Sequence, residues 1–186
     1  MKRRGYGISL MVLVGLCVSL LTGCGGPSAK EQIKQDLTEE LAQVKDIDED
    51  VLEQFDKNAG EDLGEFGVSS SDFAQAYFDG FDYTIGEVKL AEDEKTAKVD
   101  VKIKMKNLGD IVKNFEGSYS EKMNEIDPST IRSSGELLVL AGEVLLDEAQ
   151  AAEPVESDCT FDYRLDEDGE WEMADSSMRQ LIGAMS

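Results

Sequence analysis

Apolar residues follow two different periods along this chain, and the change of period marks out its elements. Ile33, Leu37, Leu41 and Val44 recur at helical spacing up to about Lys45, which predicts an amphipathic helix. Asp48 is placed to cap a second helix carrying Val51, Leu52 and Phe55, with Asn58 and Gly60 as its stop and 60–68 as a loop. Ser69, Ser70, Ser71 and Asp72 then precede Phe73, Ala76 and Tyr77, so a short third helix is expected to run to about Gly80.

From Phe81 the period shortens to two. Tyr83 and Ile85, then Val88 and Leu90, describe a strand whose phase slips by one residue at Gly86, the mark of a bulge. After the turn Glu92-Asp93-Glu94-Lys95, Ala97, Val99, Val101, Ile103 and Met105 alternate with Lys98, Asp100, Lys102, Lys104 and Lys106. That alternation predicts a half-buried strand with one apolar face and one face that is mostly lysine.

Helical spacing returns at Asn107, a cap for Leu108, Ile111, Val112, Phe115, Tyr119, Met123 and Ile126. Asp127 and Pro128 read as cap and first residue of a further helix, whose densest part, Leu137, Leu138, Leu140, Ala141, Val144 and Leu145, is expected to be largely buried. Beyond Pro154, Val155, Cys159, Phe161, Tyr163 and Leu165 alternate with acidic and polar residues. The turn Asp166-Glu167-Asp168-Gly169 leads into a short strand through Trp171 and Met173, and Ser176 opens a terminal helix with Met178, Leu181, Ile182 and Met185. The fold class is therefore α+β: an antiparallel sheet of about four strands, in two hairpins (82–106 and 155–174), packed against several helices.

The first residues carry a different pattern. Lys2, Arg3 and Arg4 precede an apolar run from Ile8 to Leu21, which is a signal peptide's layout and falls short of the roughly 20 residues of a membrane span. The run ends in Leu21-Thr22-Gly23-Cys24. Here the chain resembles bacterial lipoproteins, whose lipobox is Leu, a small residue, Gly or Ala, then Cys. The resemblance implies cleavage between Gly23 and Cys24 and a diacylglycerol on the Cys24 sulfur, so that 1–23 is removed, 24–29 is a lipidated tether and 30–186 is one α+β domain, with helices over 30–80 and sheet plus helices over 81–186. Acylation of this kind anchors stably where one chain is marginal, at about 0.8 kcal/mol per buried methylene. It places the protein on the cell membrane, outside the cytoplasm.

Charge narrows the partners. Of 186 residues, 40 are acidic, 18 basic and none histidine, for a net charge of −22. Loss of 1–23 leaves 15 basic residues and a charge of −25. Nucleic acid, bound chiefly by neutralising phosphates, is excluded as a partner, and polybasic attraction to anionic lipid contributes nothing. Without histidine there is no Ser-His or Cys-His pair and no imidazole ligand. Cys17 leaves with the signal and Cys24 is acylated, so Cys159 is the one thiol left and no intramolecular disulfide forms.

The strand Ala97 to Met105 running into the helix from Leu108, and the closing pattern Leu165-Asp166-Glu167-Asp168-Gly169-Glu170-Trp171-Glu172-Met173, give residues 70–186 a second resemblance. They are similar to the domains of envelope lipoproteins related to cystatin and nuclear transport factor 2. The resemblance implies a curved antiparallel sheet wrapped around helices. It transfers no catalytic residue, since such domains include binding modules, accessory subunits and enzymes.

Candidate chemistry is sparse. Asp46, Asp48 and Asp50 have the opening spacing of a calcium loop, but Val51 stands where Gly is needed and Lys57 where Glu is needed. Asp166, Asp168 and Glu170 offer oxygen ligands but read first as a solvated turn. Cys159 reads as a buried, inert thiol. Tyr83, Phe161 and Trp171 are a candidate ligand surface on the concave side of the sheet, or simply aromatic core. Lys98, Lys102, Lys104 and Lys106 are a candidate site for an anion or partner, or a solvated sheet face guarded against pairing. The function expected is a noncatalytic binding or accessory module of the cell envelope, with no metal or cofactor beyond the covalent lipid and with an unknown protein, polymer or small molecule as ligand. The alternative is an extracytoplasmic hydrolase working through paired carboxylates.

Overall fold

The computed structural model describes residues 27–131 and 133–174. The signal, the lipobox and the expected terminal helix from Ser176 lie outside the described residues. Three helices, α1 (Ala29–Asp46), α2 (Glu49–Glu65) and α3 (Ser70–Phe78), precede the hairpin β1 (Asp82–Leu90) and β2 (Thr96–Met105). Two more, α4 (Leu108–Glu125) and α5 (Ser134–Ala151), precede β3 (Val155–Leu165) and β4 (Trp171–Met173). The strands form one antiparallel sheet in the order β1-β2-β3-β4. The α+β class and both hairpins are as the periodicity predicts.

Local chemistry starts α2, α3 and α4 at the caps the sequence places, and α1 at Ser28, which the sequence reading places in the tether. Ser28 and Glu31 form a capping box, the Ser28 N–H donating to the Glu31 carboxylate at 2.7 Å. Asp48, Ser69 and Asn107 cap α2, α3 and α4 by accepting from the backbone N–H groups of Val51, Asp72 and Asp110. The β1–β2 register slips between Ile85 and Val88, at the expected bulge. A Cβ at Gly86 would stand 2.8 Å from the Asp100 carbonyl oxygen, so glycine is what lets the bulged strand lie against β2.

Three expectations are corrected. α2 does not stop at Asn58 and Gly60 but continues to Glu65. Ala59 and Leu63 extend its apolar stripe from Phe55 onto the core, and that burial outweighs the roughly 1 kcal/mol that a helical glycine costs. Asp127 and Pro128 open only the single 3-10 turn Pro128–Thr130, because Ile131 is extended and Ser133 supplies the cap from which α5 starts. The stripes of α4 and α5 are also less buried than their density suggests. Among the described residues of α4 only Ile111 is fully buried, while Leu108 and Val112 are 40% and 43% exposed, and Leu138 of α5 is exposed too. Among the described residues α4 packs chiefly on α5.

The core lies on the inward face of the sheet. Val99, Val101 and Ile103 of β2 and Phe161 and Tyr163 of β3 are buried there against Ile33, Leu37 and Leu41 of α1. α1 crosses this face in contact with β1 and β4. α2, α3 and α5 form the adjoining helical layer, where Phe55 stacks on Phe73 with ring centroids 6.1 Å apart.

Candidate functional site

The outward face of the sheet carries three of the seven residues singled out for binding, Lys98, Lys102 and Lys104. Alternation along β2 points Lys98, Asp100, Lys102 and Lys104 into solvent, and the register sets acidic residues of β3 opposite them: Asp162 faces Lys98, Asp158 faces Lys102 and Glu156 faces Lys104. Lys98 pairs with Asp162 at 3.1 Å, Lys102 reaches Glu156 at 2.8 Å and Asp158 at 3.7 Å, and Lys89 of β1 pairs with Asp100. Hydrogen bonding to the lysines holds Asp100 and Glu156 below the ordinary carboxylate range, and the same bonds hold Lys89 and Lys102 above theirs. Lys104 forms no ion pair among the described residues. The ridge is therefore a charge-balanced lattice instead of a row of free cations. Two shallow, open depressions lie on it, the second bordered by Gly86, Asp100, Lys102 and Thr160.

Lys106 is not part of this ridge. Its side chain is 1% exposed, and its ammonium donates to the carbonyl oxygens of Ala76 at 2.7 Å and Ala149 at 2.9 Å, with Asp79 at 3.8 Å. The reason is that β2 ends at Met105 and the chain turns into the α4 cap at Asn107, so alternation no longer governs position 106. Its place is at the carboxyl ends of α3 and α5, where unpaired carbonyls favour a cation.

The aromatic candidates do not converge. Tyr83 and Trp171 stand on β1 and β4, the two edges of the sheet, and Phe161 is buried between them in the core. The Tyr83 hydroxyl donates to the Thr38 carbonyl at 3.3 Å and its ring lies 5.8 Å from the Lys45 ammonium. The apolar residues of α1 occupy the space that a ligand pocket on this face would need.

The acidic turn is organised by the backbone: the Asp166 carboxylate accepts from the N–H groups of Asp168 and Glu170 at 2.9 and 2.8 Å. Among the described residues no cluster is arranged to hold a metal. Cys159 is buried, and burial, with the Asp158 charge second, pushes its thiol above the ordinary range.

One cluster was missed by sequence reasoning. The buried Tyr163 hydroxyl donates to the Asp36 carboxylate at 3.2 Å, and Glu40 follows Asp36 one turn along α1. Burial, and then the Asp36 charge, push Glu40 up to about 7, and burial likewise raises Asp36. A signal was present: position 40 is seven residues after Ile33 and next to Leu41, where the stripe calls for an apolar residue.

No protein-family model matches the chain, and no curated protein matches it. Among solved structures the chain is similar to the crystal structure of a candidate lipoprotein, ycdA, of Bacillus subtilis subsp. subtilis str. 168, with a TM-score of 0.44 and 14% identity. The match covers 72% of this chain and 44% of that one, so it spans less than half of the other protein's length.

Proposed function

We propose that this protein is a lipid-anchored lipoprotein of the cell envelope whose α+β domain is a noncatalytic binding or accessory module, working through the outward face of its sheet. The observation that carries the anchor is Leu21-Thr22-Gly23-Cys24 directly behind an apolar run and a basic start. The position of α1 is compatible with it, because the first described helix is capped at Ser28, four positions after Cys24, so a lipid there would leave only a short tether. No described helix is long and apolar enough to cross a membrane.

The outward sheet face is the surface best suited to a macromolecular partner. In a chain of net charge −22, general repulsion opposes association, and here lysines and carboxylates alternate in cross-strand pairs that another mixed-charge surface can complement. Replacing Cys24 by Ala, with fatty-acid labelling and fractionation, tests the anchor: the label is lost and the protein leaves the membrane fraction. Reversing Lys98, Lys102 and Lys104 to Glu and comparing proteins cross-linked on intact cells tests the face. Unchanged partners would remove that surface from the reading.

A further inference from the structure

We infer that α4 is a docking surface for a basic amphipathic helix of a partner protein, which lays its apolar side along Leu108, Val112, Phe115 and Tyr119 while its cations meet the acidic residues of α4 and α5. These four positions lie 4, 3 and 4 residues apart. That is the spacing by which one helix offers a continuous seam to another.

The seam is not what holds α4 to the domain. Ile111 is the one fully buried residue described in α4, and the Ser118 hydroxyl donates to the Glu148 carboxylate of α5 at 2.6 Å. At about 3.6 residues per turn, the midline of the seam lies about 70° round the helix from Ile111. Packing on α5 therefore leaves it half open. Leu108 and Val112 are 40% and 43% exposed, and Phe115 and Tyr119, their rings stacked with centroids 5.7 Å apart, are only half-buried.

Charge selects the occupant. α5 carries Glu136, Glu143, Asp147 and Glu148 with no basic residue in its sequence, and α4 carries four acidic residues against Lys113 and Lys122. On the sheet, by contrast, lysines and carboxylates answer one another across strands. Cations arriving beside the apolar seam gain attraction as well as burial, and the net charge of −22 that opposes other partners works for this one. A second copy of this chain would set like charge against like charge. The assignment rests neither on the lipid anchor nor on the outward sheet face.

The probe is a synthetic helix as long as α4, with Leu at every third and fourth position and Lys elsewhere. It is titrated by fluorescence anisotropy into the full-length protein in neutral detergent, with empty micelles as the blank, at physiological salt, where exposed charges are screened within about 8 Å. A scrambled peptide of the same composition is expected to bind the wild type about tenfold more weakly than the helix. Leu108→Gln with Val112→Gln, both at exposed positions, should weaken the helix about tenfold. No binding to the wild type, equal binding of the two peptides, or an unchanged affinity in the double variant would overturn the proposal. Two further results would overturn it by naming another occupant. One is a rise in affinity when Leu181 and Ile182 of the chain's own terminal segment are changed to Gln; the other is a dimer, seen by sedimentation equilibrium, that the Leu108 and Val112 changes dissociate.

Discussion

The Lys106 ammonium sits 2.9 Å from the carbonyl oxygen of Ala149, so a side chain from just beyond β2 closes the last turn of α5. The same ammonium bonds the Ala76 carbonyl, and one lysine thus joins the sheet to two helix ends. Replacing it with Met keeps the volume and strands those carbonyls in a buried site. Lys106→Met is expected to cost about 2–3 kcal/mol in urea unfolding, whereas Lys104→Gln should stay within about 0.5 kcal/mol. Equal effects would mean that Lys106 is solvated.

The two faces of β2 can be tested at adjacent positions. Val101 is 2% exposed and its register partner is the buried Cys159. Val101→Asp buries an unpaired carboxylate and is expected to cost about 3 kcal/mol or more, or to prevent folding. Lys102→Gln removes only exposed pairs with Glu156 and Asp158 and should leave the melting temperature nearly unchanged.

Gly142 reverses an ordinary helix rule. In a free helix Gly→Ala stabilises by nearly 1 kcal/mol. A Cβ at Gly142 would stand 2.1 Å from the Phe66 carbonyl oxygen and 2.8 Å from Val68, so α5 approaches the α2–α3 connection only because this position has no side chain. Gly142→Ala is expected to destabilise by about 1–3 kcal/mol. Gly117→Ala, with open space around its Cβ position, should stabilise α4, and thermal unfolding of both variants reads the opposite signs.

Stability should pass through a maximum on the acidic side of neutrality. Asp82, Asp100 and Glu156 have lowered folded pKa values, so their contribution is complete above the ordinary carboxylate range and is lost as pH falls through the folded values. Asp36 and Glu40 have raised values, so theirs is lost as pH rises toward neutrality. Melting temperatures across pH 3 to 9 check this, and Glu40→Gln should flatten the alkaline limb while leaving the acid limb in place.

The interactions that shape single elements act between residues a few positions apart, and these are written in the order of the residues. Asp48 with Val51, the bulge at Gly86 and the inward run Val99, Val101, Ile103 were all legible for that reason, whereas the Ser28–Glu31 capping box, just as local, was passed over as tether. So were the two hairpins, because a period-two pattern on each side of a turn brings its own pairing partner. Which elements then share a face was not legible. Asp36 and Tyr163 meet across 127 positions, the α2 stripe runs through Gly60 because the core lies beneath Leu63, and Lys106 turns inward because α3 and α5 both end beside it. Local propensity and alternation decided where helices and strands form; the packing of distant elements decided which polar side chains were taken out of water, since burial is set by the neighbours that arrive and not by the residue that waits.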